Sequence, residues 1–321
     1  MLDSLSFSSI SSSIDHLDEF PKSSCCLDEI VIQKRISEAK FSLFIVECPS
    51  SKRKFVMKVF PHKNGKPSSY YRNEVRFSLL KHPHIINFVH QEDFREFQFE
   101  NMSISGSILL MEYAPFGDFS HLITNSRTIW DIKLIRTFFH QLIEGLEFLH
   151  GQDVSHLDIK PENLLLSHDF QLKICDFDLS YKKGDKKIKG RGTMFYRAPE
   201  LENDTCLDTQ AADIYSAAFV LFFMKTGGTS PLLKNGFYKG LDMSDILHNK
   251  IDLFWEIHDE IRGYPNNFYD ESFKELFTGM TREDPNIRWK ISDIKKSKWY
   301  NGEIYSKDQV KQYFLRFLYY S

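Results

Sequence analysis

The stretch His156-Leu-Asp-Ile-Lys-Pro-Glu-Asn163 sets a carboxylate, an ammonium and an amide into one short loop, and thirteen residues past Asn163 comes Asp176 in the run Cys175-Asp-Phe-Asp178, behind an apolar strand. Groups of these types can accept a proton, meet an anion or supply oxygen ligands to a hard cation. Taken singly, an Asp or Asn in a loop is far more often a turn or cap residue. The ordered set outweighs that reading. Upstream, Lys58 sits in the β-type run Lys54-Phe-Val-Met-Lys-Val-Phe60 and Glu74 falls on a short helical segment. A lone strand lysine would be a solvated edge charge.

Elements must hold these groups. Phe41-Ser-Leu-Phe-Ile-Val and Lys54–Phe60, separated by the polar Pro49-Ser-Ser-Lys, read as a hairpin meander. One helical segment follows at Ser69–Leu80. Strands come next near Ile85–His90 and Ser107–Tyr113, joined by a polar connection expected to bulge into solvent. After Gly117 the period changes to that of helices, with Ile132, Leu134, Ile135, Phe138, Phe139, Leu142, Ile143, Leu146 and Leu149 on one stripe. Near the end, Val310, Tyr313, Phe314, Phe317 and Leu318 mark a helix with one apolar face, expected to pack on the larger half.

The chain has 321 residues, 41 Lys+Arg against 44 Asp+Glu, a net charge of −3 and 42% hydrophobic residues. That length buries a large core as one sizeable domain or two lobes. Near-neutral charge gives no basic field for nucleic acid, so none is expected as a partner. The longest apolar stretch, Ala217 to Met224, is far short of the roughly 18–20 residues a membrane span needs, and the N-terminus has neither a basic start nor an apolar h-region. A soluble protein, cytoplasmic or nuclear, is expected. The five cysteines (Cys25, Cys26, Cys48, Cys175, Cys206) are scattered without a C-x-x-C pair and read as free thiols.

The two motifs together resemble the catalytic loop H-R-D-x-K-x-x-N and the metal motif D-F-G of eukaryotic protein kinases, in the right order over about residues 30 to 300. The resemblance implies an α+β, bilobal kinase fold. A small β-rich N-lobe with one main helix would span residues 30–111, a large mostly helical C-lobe 112–300 and a C-terminal helical extension 301–321, after a serine-rich tail over 1–29. It implies ATP and Mg²⁺ as cofactors and a protein Ser/Thr hydroxyl as substrate. Asp158 would orient the hydroxyl and accept its proton, Asn163 and Asp176 would hold Mg²⁺, and Lys160 would meet the γ-phosphate. Phe55-Val-Met-Lys58 stands for V-A-I-K, with Lys58 paired to Glu74. Leu109-Leu-Met-Glu-Tyr-Ala114 stands for the hinge, with Met111 as gatekeeper, Glu112 and Ala114 for the adenine, and Asp118 for the ribose; Leu165 joins the nucleotide-contacting positions. Gly192–Glu200 resembles the end of an activation segment, Asp213-Ile-Tyr-Ser216 the start of the central helix, and Asp284–Arg288 the loop whose arginine pairs with Glu200. Lys160 and Thr193 match the Ser/Thr branch. A loose transition state needs its charge clamped and its nucleophile aligned, which these residue types can do.

The chain also departs from the family pattern. The phosphate loop G-x-G-x-x-G-x-V is aligned with Ser37-Glu-Ala39-Lys-Phe-Ser42-Leu-Phe44, which has no glycine, so its backbone amides approach phosphates less closely. Val56 and Phe44 add bulk where a flat ring is roofed. Asp178 replaces the glycine of D-F-G, to bind metal or point to solvent. Leu157 replaces the arginine that receives an activation-loop phosphate, and only Ser180 and Tyr181 carry hydroxyls between Asp176 and Gly192, so switching by phosphate is not expected. The leading reading is an active, non-RD Ser/Thr protein kinase. The alternative is a pseudokinase scaffold binding nucleotide weakly or not at all. No oligomeric state follows from the sequence.

Overall fold

The computed structural model describes residues 30–38, 40–125, 130–186, 190–202, 208–263 and 268–319. The serine-rich stretch 1–29, with Cys25 and Cys26, lies outside them, as do Ala39 and Cys206.

Strands β1 (Val31–Ser37), β2 (Ser42–Cys48), β3 (Arg53–Phe60), β4 (Phe88–Phe99) and β5 (Met102–Glu112) form one antiparallel sheet in the order β1-β2-β3-β5-β4. Alternation along each strand gives the sheet two different faces. Phe44, Val46, Cys48, Phe55, Met57, Val59, Ile108 and Leu110 make an outer apolar cluster. Val56, Phe60, Leu109 and Met111 belong instead to the core that continues into the helical part.

The expected solvent bulge between the fourth and fifth strands is absent. That polar segment extends the hairpin to a turn at Glu100-Asn101. Phe97, Phe99 and Ile104 pack on the outer cluster, and the Phe44 ring meets Phe97 and Phe99 edge-on at 5.7 and 5.2 Å. Such aromatic pairs anchor the far end of the hairpin.

Helix α1 (Ser69–Val75) is capped by Ser68, whose hydroxyl accepts from Tyr71 N at 3.2 Å. It ends earlier than its pattern suggests. Phe77 N and Ser78 N bond three residues back, to Glu74 O and Val75 O, and the chain leaves the helix in turns.

The helical part holds α2 (Phe119–Asn125), α3 (Ile132–Gly151), α4 (Thr209–Thr226), α5 (Met243–Asn249), α6 (Ile251–Arg262), α7 (Glu271–Met280), α8 (Ile291–Ile294) and α9 (Lys307–Tyr319). Helix α4 is apolar nearly all round and lies at the centre, with Asp213 a charge inside the core. Between α3 and α4 come four short strands, β6 (Val154–Ser155), β7 (Leu164–Leu166), β8 (Leu172–Ile174) and β9 (Tyr181–Lys182), paired as β6–β9 and β7–β8. In α9, Val310 and Phe314 are buried, and the Phe314 ring stacks on Phe170 at 5.5 Å. The side chains of Phe317 and Leu318 lie outside the described residues. No helix among the described residues is long and apolar enough to cross a membrane. Cys48 and Cys175 are buried.

Candidate active site

The loop between β6 and β7 is strapped from beneath. The Asp213 carboxylate accepts from the backbone N–H groups of His156 and Leu157, both at 2.8 Å, and from His150 Nε2 at 2.9 Å. These bonds hold Leu157 at φ 62°, a left-handed conformation costly for a residue with a Cβ. His156 Nε2 donates to Cys175 O at 2.9 Å, which leaves Nδ1 to accept from Asp158 N at 3.3 Å. One buried imidazole thus ties the two motifs together.

Asp158 emerges from this frame with both oxygens engaged. Thr193 donates to Oδ1 twice, from its N–H and its hydroxyl, each at 2.7 Å. Oδ2 receives Asn163 Nδ2 at 3.0 Å and lies 2.9 Å from Lys160 Nζ. Lys160 also donates to Thr193 Oγ1 at 2.7 Å. Burial pushes the Asp158 carboxyl up, but Lys160 and the Thr193 bond outweigh it and hold the pKa below the usual carboxylate range. The approach of Thr193 depends on Gly192, at φ 91°, where a Cβ would stand 2.3 Å from Leu157 O.

Lys58 is the second centre. Its ammonium lies 2.6 Å from Glu74 Oε2 on α1 and 2.5 Å from Asp176 Oδ1. Burial alone would lower the Lys58 pKa; Glu74, Asp176 and Asp178 reverse this and keep it above the ordinary lysine value. Burial pushes the Glu74 carboxyl up to about 7 against the pull of Lys58. Asp176 is held below its ordinary value, because Lys58 outweighs the burial that opposes it. Asn163 and Asp176 come together through the β7–β8 hairpin, whose open end is closed by Cys175 N donating to Asn163 O at 3.0 Å. An amide oxygen and a carboxylate are hard donors that suit Mg²⁺, which also takes water and substrate oxygens.

The positions expected to face the nucleotide separate into two groups. Met111, Val56 and Lys58 share one sheet face, since Val56 pairs with Met111 and Lys58 with Leu109. Glu112 donates its N–H to Asn87 O at 2.9 Å, and its carboxylate accepts from Asn87 N at 2.8 Å. Ala114 is buried, and its N–H meets no acceptor among the described residues. Asp118 caps α2 through His121 N at 2.8 Å and bridges to Leu165.

The phosphate-loop strand is turned otherwise than expected. Leu43 pairs with Lys58 and Ile45 with Val56, so these two share the Lys58 face. Phe44 pairs with Met57 and is fully buried in the outer cluster, away from Lys58. Ser42 lies on the Phe44 side and accepts from Arg35 Nη2 at 2.9 Å. Ser37 pairs with Leu43, and Ala39 lies outside the described residues. Strand period 2 explains this: an alignment displaced by one residue exchanges the faces.

The activation segment is held by fixed charges. Arg76, just past α1, grips Asp185 with its two terminal guanidinium nitrogens at 3.1 and 3.0 Å. Arg191 donates to Leu179 O and Ser180 O. Further on, Arg288 meets both Glu200 oxygens at 2.5 and 2.9 Å, and bonds the carbonyls of Ala211, Glu283 and Arg282, so every guanidinium nitrogen is used.

Sequence reasoning gave Thr193 only as a mark of the Ser/Thr branch and Asp213 only as a helix start, and it missed Leu43, Ile45 and Lys40. The first two sit in recognisable motifs, so a signal existed. The strand pair needed the register. Lys40 needed a partner 138 residues away.

An antiparallel sheet over a helical body, with a lysine–glutamate pair above a carboxylate loop, defines the class of phosphoryl-transfer proteins with a kinase fold. The protein kinase domain matches residues 40–300, and the chain belongs to that family. It is 32% identical over 228 residues to CBL-interacting protein kinase 26 of Oryza sativa subsp. japonica, covering 69% of this chain and 41% of that protein. It is 31% identical over 234 residues to CBL-interacting serine/threonine-protein kinase 16 of Arabidopsis thaliana, covering 69% and 45%. Over 147 residues it is 35% identical to serine/threonine-protein kinase ULK3 of Rattus norvegicus, covering 44% and 29%. The chain therefore spans less than half the length of these curated relatives.

Proposed function

We propose that this chain is a serine/threonine protein kinase that moves the γ-phosphoryl group of Mg²⁺-ATP to a protein hydroxyl without an activation-loop phosphate. The observation that carries the reading is the junction at Asp158, where Thr193, Lys160 and Asn163 converge on one ionised carboxylate. The substrate oxygen forms the new O–P bond, the bond from the γ-phosphorus to the β-bridging oxygen of ATP breaks, and the hydroxyl proton passes to Asp158. Four donors already fill the lone pairs of Asp158. Lys160 must therefore turn from Oδ2 toward the γ-phosphate as substrate enters, which frees an acceptor for the hydroxyl. Asn163 and Asp176 would hold Mg²⁺, which when bound neutralises charge on the phosphates. Lys58, fixed by Glu74, supplies a cation to the α- and β-phosphates.

Independence from phosphorylation is supported by Leu157, a buried apolar residue where an arginine would await a phosphate, and by the Arg76–Asp185 pair, which ties the end of α1 to the segment with a permanent carboxylate. The test is Mg²⁺-ATP binding by purified protein together with phosphate incorporation into a mixed peptide library, before and after phosphatase treatment. Incorporation on Ser and Thr that survives phosphatase is expected. Binding without turnover would make the protein a scaffold, and loss of activity on dephosphorylation would refute the independence.

A further inference from the structure

Two departures from the family pattern meet in space. Lys40, in the glycine-free loop between β1 and β2, places Nζ 2.6 Å from Oδ2 of Asp178, the residue in place of the D-F-G glycine. The Asp178 side chain is 1% exposed and that of Lys40 45%. Asp178 thus neither faces solvent nor stands open to a metal. The Lys40 ammonium also lies over the Tyr70 ring at 3.9 Å, and it and Lys58 Nζ flank one ring, that of Phe41, at 5.1 and 4.9 Å. Both cations also act on the Asp176 carboxylate, so they lie near one expected metal ligand.

We propose that Lys40 is a phosphate-binding residue of this kinase, held in place by Asp178, and that its side chain does what backbone amides do in a glycine-rich loop. Residues with a Cβ keep the loop backbone farther from an anion. A lysine side chain spans that gap. An ammonium has three donors, and one of them satisfies Asp178, so the half-exposed remainder can meet a phosphate oxygen while the buried carboxylate keeps its partner. Asp178 is a positioning residue in this scheme: an aspartate buried beside Asp176 is tolerated because Lys40 compensates it.

The inference rests on the nucleotide-binding reading above, and the experiment separates the two. Isothermal titration compares Mg²⁺-ATP and adenosine binding to the wild type, to Lys40→Met, and to the charge-neutral pair Lys40→Met with Asp178→Asn, which stays readable if a lone buried Asp178 unfolds the single variant. Loss of one charge-assisted hydrogen bond predicts about tenfold weaker Mg²⁺-ATP binding in the folded variants. Adenosine, which has no phosphate, should bind unchanged. Lys40→Arg should recover part of the ATP affinity. Unchanged or tighter ATP binding would overturn the inference alone, the tighter result marking the ion pair as a latch that competes with nucleotide. Equal weakening of ATP and adenosine would also overturn it. A wild type that binds no Mg²⁺-ATP would overturn the inference and the kinase reading together.

Discussion

Replacing Asp158 with asparagine tests the proposed chemistry most directly, and the structure sets its size. The carboxylate accepts two bonds from Thr193 at Oδ1, and faces Asn163 and Lys160 at Oδ2. Asparagine keeps one oxygen, which can serve one of these pairs; its NH₂ must then point hydrogens at the other pair of donors. Unsatisfied buried donors cost about 1–3 kcal/mol. The variant should therefore stay folded but melt several degrees lower, at roughly 2–4 °C per kcal/mol for a chain of this order of size. Removal of the proton acceptor should lower kcat by at least about a hundredfold. Mg²⁺-ATP affinity should change only a few-fold, because Lys58 and Asp176 are untouched. The assay is phosphate transfer to a peptide well below the melting temperature, with ATP binding measured in parallel. A folded variant with kcat within tenfold of wild type would refute the assignment of Asp158 as the proton acceptor.

Phe44→Val should destabilise the sheet by about 1–3 kcal/mol through loss of packing against Phe97 and Phe99, yet leave ATP affinity unchanged, as titration and denaturant melts on the same variant will report. Glu200→Ala should cost about 3–5 kcal/mol in urea denaturation, because it strands a buried guanidinium, whereas replacing Glu200 and Arg288 together by methionine should cost less than the single change. His258 is buried among aromatic rings, donates from Nε2 to Pro231 O and has its pKa lowered by burial to about 4. Its folded pKa lies below the unfolded value of about 6.5, so its contribution is complete above that value and is lost as pH falls toward 4; stability should drop by about 2 kcal/mol between pH 7 and pH 5 on this account, and His258→Asn should flatten that part of the profile.

Much of the candidate site was legible because the chemistry is packed into short motifs. Asp158, Lys160 and Asn163 lie within six residues, and a loop that short leaves them few ways to be apart. The Lys58–Glu74 and Glu200–Arg288 pairs were readable from the resemblance to the kinase motifs, and the structure adds that all four charged groups are buried, where each needs its partner. Helix α3 announced itself through its apolar stripe.

Other features depended on contacts that local pattern does not encode. The face presented by β2 is a matter of register, and a displacement of one residue carries Phe44 from the nucleotide side to the outer cluster while bringing Leu43 and Ile45 to Lys58. The β4–β5 hairpin reads as a polar loop until Phe97 and Phe99 have Phe44 to pack on. Asp213 could be assigned to a helix start, but its hold on the backbone at His156 and Leu157 exists only once α4 lies beneath that loop. In the sequence Asp178 looks like a defect and Lys40 like an ordinary loop residue. Folding brings them within 2.6 Å, where burial of the aspartate makes the lysine necessary.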